Sequence, residues 1–190
     1  MKRLLAEAPL PFGEAAAWAT GEELAAARSF APARGREYLA WRAIVRRELG
    51  RETRIAYNAA GAPVLVGSPL HISVSHTAGR VAVAIADRPC AVDIERADRR
   101  FDRVLARYLS PAEQQLSEHP RFAAAAWCAK EALYKYAGRP GCDLLRDLRI
   151  EAVHVEVDEP FAGRMTARCC GRAVEVEVRE EEGFLWAAIF

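Results

Sequence analysis

Apolar and polar positions in the first fifty residues repeat with the period of a helix. Apolar side chains recur at three- and four-residue steps at Tyr38, Trp41, Ile44, Val45 and Leu49. This spacing predicts an amphipathic helix over about 35–49, which Gly50 ends. Upstream, Thr20 and Glu23 stand at capping-box spacing and predict another helix over about 21–28.

The pattern changes after residue 64 to short runs rich in β-branched residues. These runs predict strands at 71–77, 81–86 and 91–95, with a hairpin turn at Ala78-Gly79.

Helical patterns then return, and strands follow them again. The predicted helices cover about 99–109, 111–118 and 121–137, and the predicted strands about 150–158, 164–169, 173–179 and 184–189. A capping box formed by Ser110 and Glu113 begins the middle helix. Helices followed by strands, twice over, indicate an α+β fold of two halves that meet near residues 96–98.

The charge balance restricts the classes of partner. The chain has 190 residues, with 27 Lys and Arg against 26 Asp and Glu and a net charge of +1. Such a chain is not expected to bind nucleic acid or a membrane surface by bulk charge. No apolar run approaches the roughly 18–20 residues that span a bilayer. Five cysteines without a CxxC pair predict reduced thiols in a cytoplasmic protein rather than zinc ligands.

Two carboxylates occupy one face of the predicted strand 91–95. Alternation places Asp93 and Glu95 on the same side, about 6.5–7 Å apart along the strand. Like charges so placed repel, and a hard divalent ion such as Mg²⁺ would relieve the repulsion. The alternative is an edge strand with a solvated acidic face.

A second acidic position lies on the predicted helix 121–137, beside two lysines. Glu131 and Lys135 are one turn apart, and Lys130 precedes them. The chain has 24 arginines and only three lysines, so two lysines in one segment suggest a need for a compact ammonium group, which suits a phosphate. The alternative is a surface Glu–Lys pair worth about 0.3–0.5 kcal/mol.

A third polar group surrounds the turn after strand 71–77. His76 lies among Ser73, Ser75 and Thr77, and hydroxyl and backbone donors there are suited to an anionic oxygen. No Walker A, GxGxxG, HExxH or GxSxG motif occurs, so nothing points to a P-loop, a Rossmann cofactor site, a common zinc protease or a serine hydrolase.

Five segments follow one another in the order of a known enzyme family. They are Gly61-Ala62-Pro63, Ile72-Ser73-Val74-Ser75-His76, Ala91-Val92-Asp93-Ile94-Glu95, Tyr108-Leu109-Ser110-Pro111-Ala112-Glu113, and Trp127-Cys128-Ala129-Lys130-Glu131-Ala132 with Lys135. Together they closely resemble the 4′-phosphopantetheinyl transferase superfamily over residues 61–135. The chain departs from that pattern at Ala91, usually Gly, and at Ala62, often a basic residue.

The resemblance implies an architecture and an activity. At this length the chain looks like the larger type, named after the surfactin-synthetase-activating enzyme. That type is a monomeric pseudodimer of two similar α+β halves, here 1–96 on the coenzyme A side and 97–190, with the active site in the cleft between them. The implied reaction transfers the 4′-phosphopantetheine arm of coenzyme A to a serine of an apo acyl or peptidyl carrier protein and releases 3′,5′-ADP. Such enzymes serve fatty acid, polyketide or nonribosomal peptide synthesis.

The resemblance also implies roles for single residues. Asp93, Glu95 and Glu131 would bind Mg²⁺, with Mn²⁺ left open. The residues implied to contact coenzyme A are Gly61, Pro63, Ser75, His76, Lys130 and Lys135, together with an N-terminal arginine for the 3′-phosphate, for which Arg36 is preferred to Arg28 and Arg42. Lys135 would also neutralise or protonate the leaving group. The general base is Glu131 or Glu113, although the capping box alone explains Glu113.

Two expectations concern partners. The arginines that follow the carboxylate strand would form one basic helical stripe facing an acidic carrier protein, namely Arg96, Arg99, Arg100, Arg103 and Arg107. Alternatively, these arginines are solvated and paired with Asp98 and Asp102. The alternative function is a non-catalytic module of the same fold that binds coenzyme A or a carrier protein.

Overall fold

Ten strands and five α-helices build the protein in a computed structural model that describes residues 1–190. The strands are β1 (Lys2–Glu7), β2 (Ile55–Tyr57), β3 (Pro63–Leu65), β4 (His71–Thr77), β5 (Arg80–Ala86), β6 (Ala91–Arg96), β7 (Leu148–Val157), β8 (Ala162–Cys169), β9 (Arg172–Glu181) and β10 (Phe184–Ile189). The helices are α1 (Phe12–Ala16), α2 (Gly21–Ser29), α3 (Pro32–Leu49), α4 (Pro111–Gln114) and α5 (Phe122–Ala137), with a 3₁₀ helix at Asp102–Arg107. The predicted α+β class is confirmed.

The first sheet is antiparallel, has the order β1-β5-β4, and packs against α3. Its central strand β5 is buried on both faces, because Val81, Val83 and Ile85 lie under α3 while Ala82 and Ala84 point the other way. Burial on both faces explains the nearly continuous apolar run of this strand.

The second sheet is antiparallel with the order β6-β10-β9-β8-β7, and α5 covers one of its faces. Leu185, Ala187 and Ile189 of β10 belong to the core beneath that helix. Successive side chains of a strand point to opposite faces of the sheet, so Trp186 and Ala188 of β10 lie on the other face, which is also covered.

The two sheets pack against each other through a cluster that we call the seam. It contains Ala82 and Ala84 from β5, Val92 and Ile94 from β6, and Trp186 and Ala188 from β10. Three of these six residues are alanines, which permit a close approach of the two backbones. The layers therefore run α3, first sheet, second sheet, α5.

Most predicted elements are present, and two helices are shorter than predicted. The strands predicted between 71 and 95 and after 150, and the helices at 21–28, 35–49 and 121–137, are confirmed within a few residues. Residues 99–109 form only the 3₁₀ helix, because their apolar positions do not make a helical stripe. Helix α4 stops at Gln114 rather than 118.

Strand β6 lies just before the predicted boundary between the halves near residues 96–98. Strand β6 pairs along its whole length with β10, from Ala91 opposite Ile189 to Arg96 opposite Phe184. By hydrogen bonding β6 therefore belongs to the second sheet, and residues 87–90 connect it to β5 of the first sheet.

No helix of the protein is both long enough and apolar enough to pass through a membrane.

Candidate active site

The two carboxylates of β6 face helix α5. Ala91 belongs to the core beneath α5, so Asp93 and Glu95, two and four residues further along the strand, project towards the same helix. Asp93 is 6% exposed, whereas Glu95 lies nearer the surface. Val92 and Ile94 point into the seam on the opposite face. The alternation predicted for this strand is therefore present.

Three hydroxyl side chains of β4 bind β6 from the side. Ser73 Oγ accepts a hydrogen bond from the backbone N–H of Val92 at 3.1 Å, and Ser75 Oγ donates to Asp93 Oδ1 at 2.7 Å. Thr77 Oγ1 donates to Glu95 Oε2 at 3.1 Å. The first sheet thus fixes the carboxylates of the second. Ser75, which the resemblance implies contacts coenzyme A, donates to Asp93 in this structure.

Helix α5 supplies the cation of this site. Lys135 Nζ donates to Asp93 Oδ1 at 2.8 Å and to the carbonyl oxygen of Val92 at 2.9 Å, and its side chain is 29% exposed. An ammonium group has three donors, so one donor of Lys135 remains for a ligand.

Glu131 lies one turn before Lys135 and is close to the same carboxylates. Burial raises the pKa of Glu131, and the charges of Asp93 and Glu95 raise it further, while Lys135 acts in the opposite direction. The structure therefore brings together Asp93, Glu95, Glu131 and Lys135, which the sequence placed in two distant segments. These four side chains are called the carboxylate cluster below.

The donor set of the cluster fits a hard divalent cation. Three carboxylates that repel one another are the oxygen ligands that Mg²⁺ prefers. In this structure no three His, Cys, Asp or Glu side chains are arranged to hold a metal ion. The carboxylates are held by protein donors instead, since Arg99 Nη1 lies 2.5 Å from Glu95 Oε1 and Lys135 pairs with Asp93.

His76 adjoins the cluster and is held between opposite charges. Its Nδ1 lies 3.2 Å from Glu37 Oε2, and its Nε2 lies 2.5 Å from Arg34 Nη1. Because a guanidinium only donates, Nε2 must accept, so the imidazole is neutral with its proton on Nδ1. Burial lowers the pKa of His76, the Glu37 carboxylate raises it and Arg34 lowers it, with a net decrease.

The arginine in contact with His76 is Arg34, whereas the arginines expected to meet the 3′-phosphate are Arg36, Arg28 and Arg42. Arg36 and Arg28 are exposed, and Arg42 is buried under α2, where it donates to Glu23, to the carbonyl oxygen of Tyr38 and to the hydroxyl of Tyr57. In this structure Arg42 thus donates to groups of the protein itself. The contact between Arg34 and His76 could not be predicted from the sequence, because Arg34 lies on α3 and His76 on β4.

Lys130 and Glu113 form a separate buried pair. Lys130 is fully buried, and its Nζ lies 2.5 Å from Glu113 Oε1 and also donates to the carbonyl oxygens of Leu144 and Leu148. All three donors of Lys130 are used, which leaves none for a phosphate.

The carboxylate of Glu113 is likewise hydrogen-bonded to protein groups on both of its oxygens. Besides Lys130, its carboxylate accepts hydrogen bonds from the backbone N–H groups of Ile150 and Ser110, both at 2.8 Å. The predicted capping box is confirmed, and these contacts tie α4 to β7. The structure places Glu113 and Lys130 outside the carboxylate cluster, in a buried pair of their own.

A cleft opens between the first sheet and the end of α5, next to Lys135. The cavity measures about 310 Å³, and its wall includes Gly61, Pro63, Ser73, Tyr134, Lys135 and Arg139. It therefore joins the predicted Gly61-Pro63 turn to the cluster. A larger groove of about 550 Å³ lies on the outer side of the seam and contains none of the cluster residues.

The arginines after β6 are exposed but do not form the predicted stripe on an α-helix. Three of them pair with nearby carboxylates, namely Arg96 with Asp98, Arg99 with Glu95 and Arg100 with Asp102. Arg103 and Arg107 lie on the exposed 3₁₀ helix without an ion pair. The predicted pairing with Asp98 and Asp102 is therefore present, and two free arginines remain.

Comparison with known proteins identifies the family. No curated protein matches the chain. A family model described as ACPS, 4′-phosphopantetheinyl transferase superfamily, matches residues 89–188. The matched region runs from just before β6 to β10 and includes every residue of the carboxylate cluster. The chain belongs to the 4′-phosphopantetheinyl transferase superfamily.

Proposed function

We propose that this protein transfers the 4′-phosphopantetheine arm of coenzyme A to a serine of an apo acyl or peptidyl carrier protein, as an enzyme of the larger, two-half type. The observation that carries this proposal is the buried carboxylate of Asp93. Ser75 of the first sheet and Lys135 of α5 both donate to it, and Lys135 also lines the cleft between the first sheet and the end of α5. One chain supplies both walls of that cleft, which favours a monomer.

Coenzyme A would occupy the cleft. Gly61 and Pro63 line it from the start of β3, and Lys135 lines it from α5. The free donor of Lys135 would bind the pyrophosphate, and Arg34 beside His76 would meet the 3′-phosphate. A cavity of about 310 Å³ lies within the usual range of small-molecule sites.

Asp93, Glu95 and Glu131 would hold Mg²⁺, or alternatively Mn²⁺. A divalent cation bound there neutralises charge on the pyrophosphate and helps to orient it. Thr77 and Ser75 would keep two of these carboxylates in place through their hydroxyl groups. Metal binding by Glu95 would require Arg99 to release this carboxylate. The release costs little, because an ion pair near the surface contributes only about 0–1 kcal/mol to stability.

In the proposed reaction the carrier serine oxygen bonds to the β-phosphorus of coenzyme A, and the bond from that phosphorus to the bridging oxygen breaks. Lys135 would stabilise the charge that develops on the departing 3′,5′-ADP. Glu131 would take the serine proton, directly or through a water molecule, because it lies in the cluster whereas Glu113 does not. Positioning and charge stabilisation supply most of the catalysis in such transfers.

An acidic carrier protein would dock beside the cluster. Arg103 and Arg107 are exposed and unpaired, and they lie on the 3₁₀ helix that follows β6 in the chain. Exposed charges of this kind mainly raise the association rate.

A transfer assay tests the proposed function. The protein is incubated with coenzyme A, Mg²⁺ and a panel of apo carrier proteins from fatty-acid, polyketide and peptide synthases, and each carrier is weighed by mass spectrometry. We expect one carrier class to gain a phosphopantetheine group, and chelation of the metal to prevent the gain. No gain on any carrier would contradict the proposal, and calorimetric binding of coenzyme A without turnover would favour the non-catalytic alternative.

A further inference from the structure

A second cation lines the cleft on the side of α5. Arg139 belongs to the wall of the cavity together with Lys135. None of the 13 residues that line this cavity is an aspartate or a glutamate. The cavity therefore presents two positive charges and no negative charge to whatever enters it.

Of the two cations that line the cavity, Lys135 and Arg139, only Arg139 lacks a strong hydrogen-bond acceptor. Lys135 already donates to Asp93 and to a backbone carbonyl. Arg139 is exposed and forms no ion pair with a carboxylate, and its side-chain neighbours are the thiols of Cys142 and Cys170. A thiol is a weak acceptor, so the guanidinium keeps its capacity to bind an anion.

The backbone holds Arg139 at the edge of the cleft. The preceding residue, Gly138, ends α5 in the left-handed conformation with φ of 63°. The following residue is Pro140, which restricts Arg139 to extended conformations. A side chain on such a turn loses less conformational freedom when it binds a ligand than one on a flexible loop.

Coenzyme A carries two phosphates in its pyrophosphate and a third on its ribose. A planar guanidinium can donate two parallel hydrogen bonds to such a group. Ala62, on the facing Gly61-Pro63 turn, offers no charge to any of these phosphates. We propose that Arg139 binds a phosphate group of coenzyme A from the α5 side of the cleft and thereby sets the affinity for this substrate. The inference rests on the proposed function.

Equilibrium binding separates Arg139 from a merely structural residue. Calorimetry measures the Kd of coenzyme A for the wild-type protein and for Arg139→Ala, Arg139→Lys and Arg146→Ala. Arg146 is a matched control, because it is exposed in the same loop but pairs with Asp147 and does not line the cleft. We expect Arg139→Ala to weaken binding about tenfold, Arg139→Lys to recover part of the loss, and Arg146→Ala to bind like the wild type.

The same variants are titrated with 3′-dephospho-coenzyme A to find the phosphate concerned. A loss confined to coenzyme A supports a contact with the 3′-phosphate, and an equal loss with both ligands supports a contact with the pyrophosphate. In the transfer assay, KM for coenzyme A should rise while kcat changes little.

Unchanged Kd values for both ligands in Arg139→Ala, with the wild type binding normally, would overturn this inference and leave the proposed function intact. If the wild-type protein binds no coenzyme A, the proposed function fails, and this inference fails with it. An unchanged melting temperature shows that each variant is folded.

Discussion

At the scale of single residues, Asp93 is the side chain on which the site depends most. It is buried, accepts from Ser75 and Lys135, and belongs to the proposed metal ligands. Replacement by asparagine keeps its shape and removes its charge. We expect Asp93→Asn to reduce kcat/KM for transfer by roughly a hundredfold or more, since a charged group at the reacting centre is lost.

A matched variant separates this effect from a general loss of charge. Asp98 lies three residues after Glu95 in the chain. Its side chain is exposed and pairs with Arg96. Asp98→Asn should change kcat/KM by less than about twofold, because exposed pairs contribute little. Near-normal transfer by Asp93→Asn, measured with circular dichroism as a check on folding, would contradict the assignment of Asp93.

Glu113 and Lys130 are predicted to act on stability instead. Glu113 is 4% exposed, and Lys130 is fully buried. Glu113→Gln leaves the ammonium of Lys130 buried without its counter-charge, so we expect a loss of about 3–5 kcal/mol in the free energy of unfolding. Urea unfolding measures the loss. Transfer by the variant that remains folded should stay within about threefold of the wild type, because neither residue touches the carboxylate cluster.

The pH dependence of unfolding provides a check on this pair. Burial alone would raise the pKa of Glu113, but hydrogen bonds from Lys130, Ile150 and Ser110 bring it below its ordinary value of 4.5. A lowered pKa means that the unfolded chain takes up the proton first as pH falls. The stabilisation is therefore complete above pH 4.5 and is lost below it. Glu113→Gln should lack this component, and identical acid profiles for both proteins would contradict the prediction.

At the scale of elements, α2 and α3 are joined by one carboxylate. Glu23 completes the capping box of α2 with Thr20, and it also pairs with the buried guanidinium groups of Arg42 and Arg46 on α3. Burial would raise the pKa of Glu23, but hydrogen bonds from Arg46 and from the Thr20 backbone lower it overall.

Glu23 is therefore expected to matter more than an ordinary cap. Thr20→Ala removes one capping hydrogen bond and should cost about 1 kcal/mol. Glu23→Ala leaves two buried guanidinium groups without a counter-charge and should cost about 3–5 kcal/mol. Both values are measured by urea unfolding. Equal losses in the two variants would show that Glu23 acts only as a cap.

The elements that the sequence predicted share a local signal. Capping boxes and helical or alternating apolar periods identified α2, α3, α5 and the strands around β4 and β6, because these patterns depend on neighbours in the chain. Strand β1 was not predicted, since its segment Lys2–Glu7 mixes charged and apolar residues without strict alternation and is a strand only through pairing with β5. The 3₁₀ helix at Asp102–Arg107 likewise depends on packing of Phe101 rather than on a period.

The residues of the candidate site show the same difference between local sequence patterns, which could be recognised, and long-range contacts, which could not. Asp93, Glu95, Glu131 and Lys135 could be identified because each segment carries its own pattern. The contacts of Thr77 with Glu95 and of Arg34 with His76 could not be identified, because each joins two separate elements. The burial of Lys130 was missed for a related reason, since its partner Glu113 already had a sufficient local explanation in the capping box.

At the scale of the whole molecule, the seam between the sheets sets the geometry of the site. The hydroxyl groups of β4 bind the carboxylates of β6 only while the two sheets stay at their present distance. That distance depends on small side chains in the seam, above all Ala82 and Ala84 on β5. Residues on the other face of β5, such as Val83, pack against α3 instead.

Neighbouring positions on β5 should therefore respond differently to substitution. Ala84→Leu inserts a larger side chain into the seam, which should cost about 1–3 kcal/mol of stability and lower kcat/KM roughly ten- to a hundredfold by moving Ser75 away from Asp93. Val83→Ala removes two methyl groups beneath α3 and should cost about 2 kcal/mol with little change in kcat/KM at 25 °C. Urea unfolding and the transfer assay measure the two effects on the same preparations. If both variants lose activity in proportion to their loss of stability, the seam has no special role, whereas a loss of activity confined to Ala84→Leu means that the site depends on how closely the two sheets pack.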